Sequence, residues 1–216
     1  MWKYGLLFYE IAFPVMITSN ISGEGKSFLS LNLSKSFSVQ GKKVALLEFD
    51  LRRPKIGNLL HLEKSNGLTN YLLGNLPLDK VYKQPFEDDN NFHFFPAGPI
   101  PPNPQELLRD NKMDELREYL QKNYDVIIID TPPFGIVADA QILGKIVDTT
   151  LIVTRFGYTM KEQVSEIEKW SRNNIFPSMS IVLNGVKHKG YYGSKYGYYY
   201  YKRKYGYDYY STKKST

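Results

Sequence analysis

The stretch Ile21-Ser22-Gly23-Glu24-Gly25-Lys26-Ser27 is a glycine-rich turn, and its neighbours decide how it is read. Residues 15–18 before it form a short apolar run, and Phe28, Leu29, Leu33 and Phe37 after it recur roughly at helical spacing until Gly41. A buried strand, a turn and an amphipathic helix in that order predict a phosphate-binding loop. Backbone N–H groups of such a turn point at an anion, at the positive end of the helix that follows. Ser22, Gly23, Glu24, Gly25, Lys26, Ser27 and Phe28 are therefore the candidate nucleotide-binding residues. Lys26 offers a point charge to the outer phosphates and Ser27 a hydroxyl to magnesium. The strict pattern GxxxxGKS wants glycine at position 20. The chain has Asn20 there, a residue that tolerates the left-handed backbone better than most.

Working outward, two further strands end in carboxylates. Val44-Ala45-Leu46-Leu47-Glu48-Phe49-Asp50 reads as a buried strand closing on Glu48 and Asp50, and Leu51-Arg52-Arg53-Pro54 sets two guanidinium groups beside them. Val126-Ile127-Ile128-Ile129-Asp130 is the strongest strand signal in the chain. An uninterrupted β-branched run fits a central parallel strand covered on both faces. In a parallel sheet the C-terminal ends of the strands share one rim, where ligands bind, so these acids are expected to face the phosphate loop. Asp130 is the expected carboxylate for magnesium, directly or through water.

The remaining elements are structural in this reading. Strands are expected over 92–95, 150–154 and 180–183, and helices over 66–73, from Gln105, up to about Asn123, over 138–145 and over 160–174, with Trp170 in the core. Asn184 ends the last strand. It reads first as a turn former, with a hydrogen bond to a base edge as the alternative.

With 216 residues and 42% hydrophobic content, the chain suits one large α/β domain plus an appendage. It has no cysteine, which removes disulfide frameworks and cysteine metal sites. Glu10 and Pro14 interrupt the apolar N-terminal residues, whose runs fall short of the roughly 20 residues that a membrane span needs. The net charge of +6 is unevenly placed: residues 187–216 hold eight Lys or Arg against Asp208 alone, so the rest of the chain is close to neutral.

That tail changes the grammar of the sequence. Tyr191, Tyr192, Tyr196, Tyr198, Tyr199, Tyr200, Tyr201, Tyr205, Tyr207, Tyr209 and Tyr210 are eleven of the chain's eighteen tyrosines, and no Leu, Ile or Val follows Val186. Such a segment has little with which to build a core and is expected to be disordered. Either its basic and aromatic residues stack on single-stranded nucleic acid, or its phenols accept phosphate. The domains expected are thus 1–187, with an atypical stretch over 1–13, and a tail over 188–216.

Together the Ser22–Ser27 turn, the strands ending at Asp50-Leu51-Arg52-Arg53-Pro54 and Asp130-Thr131-Pro132-Pro133, the Gly98-Pro99-Ile100-Pro101-Pro102-Asn103-Pro104 stretch and the tyrosine tail resemble the bacterial tyrosine kinases of capsular and exopolysaccharide export. The resemblance implies an α/β, parallel-sheet P-loop NTPase fold of the deviant Walker ATPase type. It implies ATP and Mg2+ as cofactors, with Lys26, Asp50, Glu48 and Arg52 as catalytic residues, Ser27, Asp50 and Asp130 around the metal, and Asn184 on the adenine. It also implies autophosphorylation of the tail tyrosines in trans within a homo-oligomeric ring. A membrane-spanning co-polymerase, fused upstream or separate, would activate the kinase at the cytoplasmic face of the plasma membrane, and a tyrosine phosphatase would reset it. Nucleic acid is not an expected partner. Where the family usually has Asp-x-Asp, this chain has Glu48 in the first place. The helix of Glu and Arg that usually precedes the domain is not read in residues 1–13, so a fragment of a longer membrane protein, or a shortened kinase, is an expectation too. The rival class is a partition or positioning ATPase without tyrosine kinase activity, against which stands the lack of a lysine near Ile21.

Overall fold

The computed structural model describes residues 12–63, 66–109 and 111–186. The tail tyrosines and residues 1–11 lie outside them. The polypeptide divides into two units, 1–184 and 185–216, and the described residues belong almost wholly to the first.

In chain order the strands are β1 (Phe13–Ser19), β2 (Val44–Glu48), β3 (Phe92–Phe95), β4 (Val126–Asp130), β5 (Thr149–Arg155) and β6 (Met179–Asn184). The helices are α1 (Lys26–Val39), α2 (Ile56–Leu59), α3 (Leu68–Leu72), α4 (Pro104–Leu107), α5 (Lys112–Asn123), α6 (Asp139–Leu143) and α7 (Lys161–Arg172). The strands form one parallel sheet in the order β3-β2-β4-β1-β5-β6. β4 lies between β2 and β1, which is why its Ile127, Ile128 and Ile129 are all buried.

Alternation along the strands builds two cores. Met16, Ala45, Leu47, Ile127, Ile129 and Ile152 point to the face covered by α3, α5, α6 and α7, through residues such as Leu68, Leu116, Leu143 and Ile167. Ile17, Leu46, Phe92, Phe94, Ile128 and Val153 point to the other, covered by Leu31 of α1 and Ile56 of α2. Trp170 packs against the first core, edge-on to Phe134. At the open edge of the sheet, Ile181 and Leu183 of β6 stay exposed.

Two sequence expectations need correction. The inward face of α1 is only partly the apolar set Phe28, Leu29, Leu33 and Phe37: Leu29 and Leu33 pack half-buried against the second core. Ser27, Ser30, Ser34 and Ser38 are buried, and Phe28 is 54% exposed. Ser30 and Ser34 donate to the carbonyls one turn back, at 2.9 and 2.7 Å, so small polar residues can lie against the sheet with their hydroxyls satisfied. The second correction concerns α2, which periodicity does not signal. Its four residues start where the Glu48 carboxylate accepts the N–H groups of Lys55 and Ile56, at 2.5 and 2.6 Å.

Candidate active site

β1 ends at Ser19 and the chain turns through residues 20–25 into α1. Gly23 and Gly25 have φ of +90° and +100°, which a side chain would strain. Gly25 is the N-cap of α1, and no side chain caps that helix end. An uncapped N-terminus of a 14-residue helix, next to a buried ammonium, is a standing invitation to an anion. Lys26 is that ammonium, only 4% exposed.

The C-terminal ends of the neighbouring strands bring acids to it. Lys26 Nζ lies 3.8 Å from Asp50 Oδ2. Asp50 Oδ1 accepts the N–H of Arg53 at 3.0 Å. Ser27 Oγ donates to Asp130 Oδ2 at 2.8 Å, and Ser30 Oγ, whose one proton is shared with the Lys26 carbonyl, lies 3.0 Å from Asp130 Oδ1. Asp130 is fully buried. Burial pushes its carboxyl up to about 7, against the opposing pull of Lys26, Ser27 and Ser30. A divalent cation beside Asp130 would supply the missing positive charge. Among the described residues no three acids or histidines converge on one point. The Ser27 hydroxyl and the Asp130 carboxylate, two oxygens beside the loop, fit magnesium, which takes one or two protein oxygens and completes its shell with water and phosphate.

The other expected residues have partners of their own. Glu48 is buried; its carboxylate accepts from Lys55, Ile56 and Ala97, and burial still holds it above the usual carboxylate range. Arg52 makes a two-pronged pair with the buried Asp139, Nε to Oδ2 at 2.9 Å and Nη2 to Oδ1 at 3.2 Å, and Gln105 donates to the same carboxylate at 3.1 Å. Asn184 donates to the Glu24 carbonyl at 2.9 Å, and a Cβ on Gly25 would sit 2.1 Å from its amide nitrogen. The expected nucleotide and metal residues thus gather on one rim, while Glu48 and Arg52 are tied to α2 and α6.

A clamp around the loop escapes sequence reading. Three consecutive loop residues are held by the turn after β5: Tyr158 donates to the Ser22 carbonyl at 3.0 Å, Arg155 Nη1 to the Gly23 carbonyl at 2.9 Å, and the Thr159 hydroxyl to the Glu24 carboxylate. Glu24 Oε2 in turn accepts the N–H of Ile21 at 2.8 Å. Asn20 is not in the left-handed region expected of it. Its amide instead donates to Glu166 Oε2 at 2.7 Å and to the Gln163 carbonyl at 3.3 Å, both on α7. Glycine at this place would lose both bonds. Ser30 also went unread. Its signal was the serine spacing 27, 30, 34, 38, a helical stripe of its own.

Comparison with known proteins gives this arrangement its context. A family model described as an AAA domain matches residues 14–171. The tyrosine-protein kinase YwqD of Bacillus subtilis is 40% identical over 185 residues, covering 86% of this chain and 76% of its own length. A putative tyrosine-protein kinase in the cps region of Klebsiella pneumoniae is 39% identical over 183 residues, 85% of this chain but 25% of its own. The solved kinase domain of the Escherichia coli tyrosine kinase ETK superposes with a TM-score of 0.76 at 33% identity, covering 83% of this chain and 70% of that one. The chain thus spans about a quarter of the longer Klebsiella relative and about three quarters of the Bacillus one.

Proposed function

The chain belongs to the family of bacterial tyrosine-protein kinases built on an AAA-type domain, and from that premise we propose that it is an ATP-dependent tyrosine autokinase whose acceptors are the tyrosines of its own C-terminal tail. The observation that carries this reading is the meeting of Lys26, Ser27, Asp50 and Asp130 at the uncapped end of α1, in a chain with eleven tyrosines after residue 190.

Phosphoryl transfer depends on positioning and on neutralising charge more than on covalent help. Lys26 supports charge on the outer phosphates of ATP. Ser27 and Asp130 hold magnesium, whose chemistry when bound is to neutralise phosphate charge. Asp50 receives or orients the phenolic proton: it is the acid of β2's end nearest Lys26, whereas Glu48 is occupied by backbone N–H groups. Asn184 and the loop backbone flank the nucleotide. Arg52, fixed by Asp139 at the rim, serves a neighbouring subunit's transfer.

In this proposal transfer runs in trans within a homo-oligomeric ring. Each phosphate adds about −1.5 to −2 charge, so phosphorylation erases the tail's basic character and loosens the ring. The relative from a cps region supports a role in capsular or exopolysaccharide synthesis, and the greater length of that relative supports a membrane-spanning co-polymerase as activator; a tyrosine phosphatase resetting the tail completes the proposal. Among the described residues no helix is long and apolar enough to cross a membrane. Membrane association therefore falls to the activator in this proposal.

The test is incubation with magnesium-ATP, with and without the cytoplasmic peptide of a candidate activator, followed by phosphotyrosine mapping by mass spectrometry. Phosphate on the tail, abolished by Lys26→Met, is the expected result. Phosphate released to solution with no phosphotyrosine would replace the reading with that of a positioning ATPase.

A further inference from the structure

The turn that clamps the phosphate loop ends in a phenol. Tyr158 is 45% exposed, yet its hydroxyl reaches the loop backbone, 2.8 Å from where a Cβ on Gly23 would stand. We propose that Tyr158 is itself a phosphoacceptor, and that a phosphate on its oxygen opens the clamp and weakens nucleotide binding. The proposal rests on the kinase reading above.

The chemistry of the clamp gives the consequence. Tyr158 holds the Ser22 carbonyl by donating its only hydroxyl proton. Esterification removes that proton and sets anionic oxygens against a carbonyl that can only accept. Arg155 holds the Gly23 carbonyl through Nη1, and its guanidinium carbon lies 5.4 Å from the Tyr158 ring centroid. A phosphate monoester is a far stronger acceptor for arginine than a peptide carbonyl, so the new group draws Arg155 off Gly23. Two of the three rungs on Ser22, Gly23 and Glu24 are then lost together. Only the Thr159 to Glu24 bond remains. The added dianion also lies beside the turn that has to receive the phosphates of ATP, and like charges oppose binding.

In the transfer, the bond between the γ-phosphorus of ATP and its β,γ-bridging oxygen breaks and a bond from that phosphorus to the Tyr158 oxygen forms. ADP leaves, and the phenolic proton is released to solvent. The donor is a second copy of the chain, as for the tail in the reading above. Nothing in the step requires a co-reactant beyond ATP and magnesium.

The experiment mixes wild-type chain with an isotopically heavy Lys26→Met copy as acceptor, adds magnesium-ATP, and maps phosphotyrosine in both. In parallel, phosphotyrosine is installed at position 158 during translation, and the binding of a fluorescent ADP is compared with that of the unmodified chain. Expected are phosphate on Tyr158 of the heavy copy and an ADP affinity lower by on the order of tenfold or more, about 1.4 kcal/mol per decade. Should the Lys26→Met copy fail to fold, labelling of Tyr158 on the wild-type chain still tests whether it is a phosphoacceptor. Phosphate confined to the tail would overturn this proposal and leave the kinase reading intact. No phosphotyrosine anywhere would overturn both. Unchanged ADP affinity in the modified chain would overturn the switch.

Discussion

Ser27 Oγ donates to Asp130 Oδ2 at 2.8 Å across 103 residues of chain, joining the first turn of α1 to the end of β4. Both side chains are buried, and the Ser30 hydroxyl lies 3.0 Å from the other carboxylate oxygen. In the free protein this carboxyl is an isolated buried acid, raised to about 7. An amide of the same shape costs little there, because serine hydroxyls can accept as well as donate. Asp130→Asn should therefore keep or raise the melting temperature without ligand. It should also lose the stabilisation that magnesium-ATP gives the wild type, about 2.7 kcal/mol at a hundred times Kd. Differential scanning fluorimetry with and without ligand checks both halves; a full magnesium-ATP shift in the variant would refute the metal role.

Glu48 makes a different kind of contact. Its carboxylate is the N-terminal cap of α2, a helix of four residues that has little else to start it. Glu48→Ala leaves the N–H groups of Lys55, Ile56 and Ala97 without this acceptor, at a cost of about 1–3 kcal/mol. Chemical denaturation should show that loss, and activity lost by the variant has to be compared at equal folded fraction.

His93 supplies a pH dependence. Burial, with help from Lys43, lowers its pKa below the ordinary value near 6.5. Tyr82 stacks on its ring and Tyr124 shares a 2.8 Å hydrogen bond with Nδ1. Below pH 6.5 the unfolded chain takes up a proton that the folded one refuses. The contribution of His93 to stability is thus complete above 6.5 and is lost as pH falls through its lowered folded value. The stability gap between wild type and His93→Phe should narrow between pH 7.5 and 5.5; a gap that stays constant or widens would contradict the assignment.

The strand order makes a contrast between two isoleucines. Ile128 is fully buried on the central β4, whereas Ile181 on the edge strand β6 is 58% exposed. Ile128→Ala should cost about 2–5 kcal/mol and Ile181→Ala within about 0.5 kcal/mol. Equal losses in urea denaturation would mean that the strand order is wrong.

What could be read from sequence followed from how local the signal was. β4 was legible to the residue, because a run of Val and Ile ending in Asp has few other structures open to it. The phosphate loop was legible because its glycines and its lysine act through the backbone nearby. The inner face of α1 is half legible: hydrophobic spacing points to Leu29 and Leu33, which pack on the core, but also to the exposed Phe28, and the serines that lie against the sheet look polar until their hydroxyls are traced to carbonyls one turn back. α2 depends on a carboxylate seven and eight residues upstream. The clamp on Ser22, Gly23 and Glu24 comes from residues more than 130 positions away, where no spacing rule reaches.

The position of β1 in the sheet governs how the protein comes into being. β1 pairs with β4 and β5, so Phe13 meets its first partner, Val126, only after the intervening elements from α1 to α5 have been made. During synthesis the loop at Gly23 emerges early and has to wait, its strand unpaired and its lysine without a rim. Long-range parallel pairing of this kind closes slowly and leaves hydrophobic edges open meanwhile. A ribosome-bound chain stalled before β4 should bind no nucleotide, and one released beyond β5 should. On the proposed reading ATP would in this sense be a late witness to folding: it would stabilise the finished sheet and offer no help to the chain that is still assembling it.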